Sequence, residues 1–132
     1  MKHIGIIGSR KRNSKHDYDC CVRRFLEVYE EGDIIVSGGC PIGGDHFAEL
    51  IAREYEIPII LFPADWDKYG KGAGFKRNTQ IAEKSDIVIA IATRNRDLCK
   101  GTMDTVNKSI NLGKTAIIDD NEEPFNPENI CD

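Results

Sequence analysis

The chain has 132 residues, 40% apolar and 30% charged, with a formal net charge of −4. That length and balance fit one globular domain with one core. The negative balance argues against broad non-specific binding to nucleic acid or anionic membrane, though a local basic pocket is still allowed. No apolar run approaches the ~20 residues of a bilayer span.

Met1-Lys2-His3 leads directly into strand-like residues rather than a signal peptide, so a cytoplasmic location is expected. Residues 3–8, HIGIIG, form a short apolar run ending in glycine and predict a buried strand. Residues 9–14 are polar and basic. Residues 16–31 carry Tyr18, Cys21, Val22, Phe25, Leu26 and Tyr29 at helical spacing, with Gly32 as the stop. A second strand is expected at 33–37. The glycine-rich stretch SGGCPIGGD follows, and then a helix at 44–55. IPIILF at 57–62 predicts a third strand, and PADWDKYGKGAG at 63–74 a long polar loop holding the sole tryptophan. A short helix at 75–84 and a strand at 86–92 come next. TRNRDLCKG is a loop, 102–112 a helix, and 115–118 a fifth strand. From 119 onward the acidic, Asn- and Pro-containing tail is expected to be irregular and exposed.

Strands alternating with helices predict an α/β, three-layer, doubly wound sheet, mainly parallel, with helices on both faces. In such sheets ligands bind at the carboxyl ends of the strands, near the point where the strand order reverses. Here those ends carry GSRKRN, SGGCPIGGD, PADWDKYGKGAG and TRNRDLCKGT, all rich in glycine, basic or hydrogen-bonding residues. The turns at the opposite edge are short and plain. This asymmetry places a site at the C-terminal edge.

The residue types there suit an anionic ligand. Glycine allows close approach of backbone to ligand, and uncapped helix N-termini attract anions. Arg10, Arg12, Arg77, Arg94 and Arg96 lie in or beside these loops, and arginine pairs bidentately with phosphate or carboxylate. Arg77 is the leading functional cation. Asp45 and Asp104, each expected in the first turn of a helix, serve either as caps or as carboxylates acting on a sugar or glycosidic bond. Trp66 and Tyr69 either stack on a base or cover the sheet edge. The five cysteines, Cys20, Cys21, Cys40, Cys99 and Cys131, lack C-x-x-C spacing and are expected as free thiols. His16, Cys20 and Cys21 lack a fourth ligand, so no metal site is expected. No cofactor is expected either.

The motifs GSR at 8–10, SGGCPIGGDHFAE at 37–49, FPADWDKYGKGAGFKRN at 62–78 and KGTMDTV at 100–106 resemble the SLOG superfamily. That group includes the lonely-guy phosphoribohydrolases and Smf/DprA-type domains. The resemblance covers residues 4 to about 118 and is closest to the small YspA/YpsA-related branch. It implies a Rossmann-like fold binding a nucleotide or nucleotide-derived ligand, phosphorylated or ADP-ribose-like. It implies that Gly8, Ser9 and Arg10 join the site, that Gly38, Gly39 and Asp45 face the ribose or base, and that Gly101 and Thr102 hold phosphate. Arg77 and Asn78 match the basic element of the preceding helix. Lonely-guy enzymes carry Pro-Gly-Gly-x-Gly-Thr-x-x-Glu; here the leading Pro-Gly-Gly is absent and Thr105 stands in the glutamate's place. Asp104, one position earlier, points about 100° away on a helix. A nucleotide-binding or sensor domain is therefore expected. The alternatives are a phosphoribohydrolase using Asp104 or Asp45, and a protein-interaction module. Related folds dimerise through helices flanking the site, and Val22, Phe25 and Tyr29 could serve a homodimer.

Overall fold

The structure, a computed structural model, describes residues 1–40 and 42–123; Pro41, Cys131 and the rest of the tail beyond Glu123 lie outside the described residues. Five strands form one parallel sheet: β1 (His3–Gly8), β2 (Ile34–Ser37), β3 (Ile59–Leu61), β4 (Ile87–Ile91) and β5 (Thr115–Asp119). Their spatial order is β3-β2-β1-β4-β5. The order reverses between β1 and β4, so that is the switch point.

Alternation along the strands decides which helix each face receives. Ile4, Ile6, Ile35, Ile89 and Ile91 point to one face, under α1 (Lys15–Val28) and α2 (Gly44–Glu54). Ile7, Val36, Val88 and Ala90 point to the other, under Ile81 of α4 (Ala73–Lys84) and Val106 of α5 (Lys100–Asn111). The expected α/β sandwich with helices on both faces is present, and every strand pairing is parallel. Among the described residues, no helix is long and apolar enough to cross a membrane.

Boundaries differ from expectation where side chains redirect the backbone. Ser14 and Asp17 form a reciprocal cap that starts α1: the Asp17 N–H donates to Ser14 Oγ and the Ser14 N–H to Asp17 Oδ2, both at 3.1 Å. The helix ends at Val28 rather than 31, because Asp33 accepts the Glu30 N–H at 2.8 Å and folds that segment into a turn. The loop expected at 63–74 contains a short helix, α3 (Trp66–Tyr69), and a 3-10 turn at Gly70–Gly72. Asp65 starts it by accepting the Lys68 N–H. The fifth helix begins at Lys100, two residues early, so Asp104 lies beyond its first turn.

Helix α1 packs into the core, and one expectation, that for the tail, is corrected. Phe25 is fully buried and stacks with Tyr29 at 5.1 Å between ring centres, and Val22 packs on the same cluster. Phe25 belongs to the interior, with Val22 and Tyr29 partly buried beside it. The tail is not exposed at its start: Asp119 ends β5 with a side chain wholly removed from solvent. Its carboxylate accepts from Arg12 at 3.0 Å, from Arg24 at 3.0 Å and from the Asn121 N–H at 2.9 Å.

Candidate functional site

The glycine-rich stretch between β2 and α2 is shaped first by packing. A Cβ on Gly44 would collide with the backbone of Ile7 and Gly8, because the first turn of α2 lies directly on the end of β1. A Cβ on Gly43, whose φ is +78°, would sit 2.6 Å from Ser9 O. Gly39 takes φ +77° with open space around it, so the turn itself demands glycine there. Gly38 leaves room for side chains: a Cβ would strike Arg77 and lie 2.8 Å from Asp45 Oδ2. Neither Gly38 nor Gly39 lines the cavity described next. The close approach that Gly38 permits is to protein, and Gly39 serves the turn.

That cavity, about 510 Å³, opens at the switch point. Its volume lies within the ~300–1,000 Å³ range of small-molecule sites. The β1 end contributes Gly8, Ser9, Arg10 and Lys11, and α2 contributes Asp45. From the segment after β3 come Trp66, Lys71, Gly74, Phe75, Arg77 and Asn78. Leu98 to Thr102 close the far side, with Thr105 behind them. Of the residues singled out in the sequence, Gly8, Ser9, Arg10, Asp45, Trp66, Arg77, Asn78, Gly101 and Thr102 meet here. Lys11, Lys71 and Lys100 were not singled out. Their signal was a lysine beside Arg10 or beside a glycine in a strand-end loop.

Asp104 does not line the cavity. Its carboxylate is held by Asn78 Nδ2 at 3.1 Å and Lys108 Nζ at 2.8 Å. Thr105, the neighbour in the glutamate's place, faces the cavity instead, as a 100° step along a helix requires. Asn78 also donates to Gly101 O at 3.2 Å and so ties α4 to the first turn of α5.

Among the described residues, Asp45 is the single carboxylate in the wall. It accepts the Cys40 N–H at 3.2 Å and pairs with Arg77 at 3.6 Å. Burial pushes its carboxyl above the ordinary value, and the Arg77 guanidinium and backbone N–H groups only partly offset this. Arg77 also donates to Gly38 O at 3.1 Å, fixing the guanidinium between α4 and the β2–α2 loop.

The remaining arginines of this edge have other work. Arg12 is buried and donates to Asp17, Asp119 and the carbonyls of Ala92, Asp119 and Asn121. Arg94 donates to Glu122 O, and Arg96 pairs with Asp120 and bonds Thr93 O. The five-arginine anion edge is thus corrected: Arg12, Arg94 and Arg96 fasten the C-terminal segment to the loops after β1 and β4.

Basic side chains still outnumber the one carboxylate. Arg10, Lys11, Lys71, Arg77 and Lys100 all line the cavity. Neither α2 nor α5 carries a side-chain cap, so the N–H groups that open them have no side-chain acceptor. Trp66 lies at the mouth over Gly74, 57% exposed, with Phe75 and Leu98 also exposed nearby. The arrangement combines exposed cationic side chains around the cavity with exposed aromatic and apolar ones. Comparison with protein-family models, with curated proteins and with solved structures gives no match.

Proposed function

We propose that this protein binds a nucleotide or nucleotide-derived anion in the β1–β4 cavity, as a cytoplasmic sensor or binding protein. One observation carries the reading. Among the described residues, Arg10, Lys11, Arg53, Lys71, Lys84 and Lys100 have neither an ion-pair nor a hydrogen-bond nor an aromatic partner for their side chains. Four of these six cations line one cavity. Unpaired like charges held together repel one another, and an anion relieves that repulsion. Trp66 at the rim supplies a flat surface for a base. All four motifs of the SLOG resemblance contribute residues to the wall, which supports the same reading.

Calorimetric titration of the chain with nucleosides and their monophosphates at low salt tests this. The nucleotides are expected to bind at least about tenfold more tightly than the nucleosides, the value of one charge-assisted contact. Arg10→Ala should remove most of that difference without altering stability, because Arg10 is exposed. An absence of binding by any nucleotide would overturn the reading and favour a protein-interaction module.

Hydrolysis of a nucleoside monophosphate is the second reading. Asp45 carries it, as the cavity's only carboxylate among the described residues, already biased toward its protonated form. Release of free base, abolished in Asp45→Asn, would establish it. The same variant has a pH signature. Asp45 ionises in the unfolded chain from the ordinary 3.8 upward, but its folded value is raised. Wild type therefore loses stability relative to Asp45→Asn as pH climbs from 3.8 through the raised value, and the gap is constant above it. Melting temperatures of both proteins across the acid range check this.

A further inference from the structure

The charge of the cavity narrows the ligand class. Arg77 is matched by Asp45, so those two cancel. Arg10, Lys11, Lys71 and Lys100 remain, and they come from three separate segments: the end of β1, the 3-10 turn before α4, and the start of α5. A phosphate monoester carries about −1.5 to −2 at neutral pH, which neutralises roughly half of this set. A pyrophosphate diester, as in ADP-ribose-like dinucleotides, carries a similar charge on its two phosphates. A terminal di- or triphosphate matches the set more fully and is long enough to reach more than one segment.

Resting on the nucleotide reading above, we infer that the cavity selects nucleotides with a terminal di- or triphosphate over monophosphates and over diesterified pyrophosphates. The phosphates lie along Arg10, Lys11, Lys71 and Lys100, with the uncapped start of α5 at one end. The basic side chains alone neutralise them, since among the described residues the one wall carboxylate is already paired and no second lies there to hold a divalent cation.

Calorimetric titrations with each ribonucleoside mono-, di- and triphosphate, with ADP-ribose, and with inorganic phosphate, pyrophosphate and tripolyphosphate test this, all in EDTA. The expected result is a tightening of about tenfold for each phosphate added beyond the first, with ADP-ribose grouped with the monophosphates. Lys71→Ala and Lys100→Ala should each cut triphosphate affinity about tenfold and monophosphate affinity less than threefold. Arg53→Ala and Lys84→Ala, cations without partners outside the cavity, should change neither. Equal affinity for mono- and triphosphates would overturn the inference and leave the nucleotide reading intact. Tighter binding of ADP-ribose than of any diphosphate would also overturn it. Silence from every probe would remove the nucleotide reading as well.

Discussion

Asp119→Ala is expected to lower the melting temperature by about 10 °C or more, the equivalent of ~3–5 kcal/mol for breaking a buried pair. Arg12 is 1% exposed and threads between β4 and β5, so its charge cannot turn to water. Without the Asp119 side chain, the guanidinium keeps Asp17 at 2.9 Å and the residue-119 carbonyl but loses its carboxylate partner on β5. Arg24, only partly buried, can swing outward, so the damage centres on Arg12. Burial pushes the Asp119 carboxyl up, but the Asn121 N–H and the two arginines outweigh it and hold it below the ordinary value of 3.8. A depressed folded value means the stabilisation is present above pH 3.8 and is lost as pH falls through the folded value. The gap between wild type and variant should therefore shrink in strong acid. An unchanged melting temperature at pH 7 would show that the network is not structural. The substitution should also loosen the β1–α1 loop, because Arg12 directly follows the Ser9, Arg10 and Lys11 of the cavity wall. Ligand affinity is expected to weaken even where the protein remains folded.

Gly44→Ala is the second large effect. Alanine in a helix normally stabilises by up to about 1 kcal/mol over glycine. At Gly44 the sign should reverse, with a loss of about 3 kcal/mol, at the upper end of overpacking penalties. The clashing atoms are backbone atoms of Ile7 and Gly8, which cannot rotate aside. Helix α2 must lift from β1, and the lift disturbs Phe47, Ala48 and Ile51 in the core. Gly101→Ala provides the contrast. Its Cβ meets open space and its φ is not positive, so stability should hold or rise slightly. Denaturant midpoints of the two variants measure the difference. Equal midpoints would show that the α2–β1 approach has slack.

Much of the fold was legible because its signals are local. HIGIIG, DIVIAIA and the helical spacing of Phe47, Ala48 and Ile51 each declare an element within a few residues. The cavity's position was legible too, since it follows from strand polarity once the alternation is read. The roles of single charges were not. Arg10 and Arg12 stand two residues apart in one loop, yet one is exposed at the cavity and the other is buried against β5. Nothing local distinguishes them, because the partner that decides is Asp119, more than a hundred residues away. Asp104 and Thr105 illustrate the same limit on a smaller scale. Composition favoured the acid, while the helix start at Lys100 and the bonds from Asn78 and Lys108 turned it away from the cavity.

By itself, then, the sequence determined the order of elements, the parallel α/β architecture and the edge at which the cavity opens. These depend on periodicity, which is written along the chain. Only the tertiary structure decided what the glycines and arginines of that edge do. Gly43 and Gly44 serve helix–strand contact, Gly38 seats Arg77 and Asp45, and Arg12 locks β5, whereas Arg10, Lys11, Lys71 and Lys100 stay unpartnered around the cavity. The reason is physical: whether a charge or a missing Cβ serves packing or a ligand depends on which distant atoms fill the space beside it.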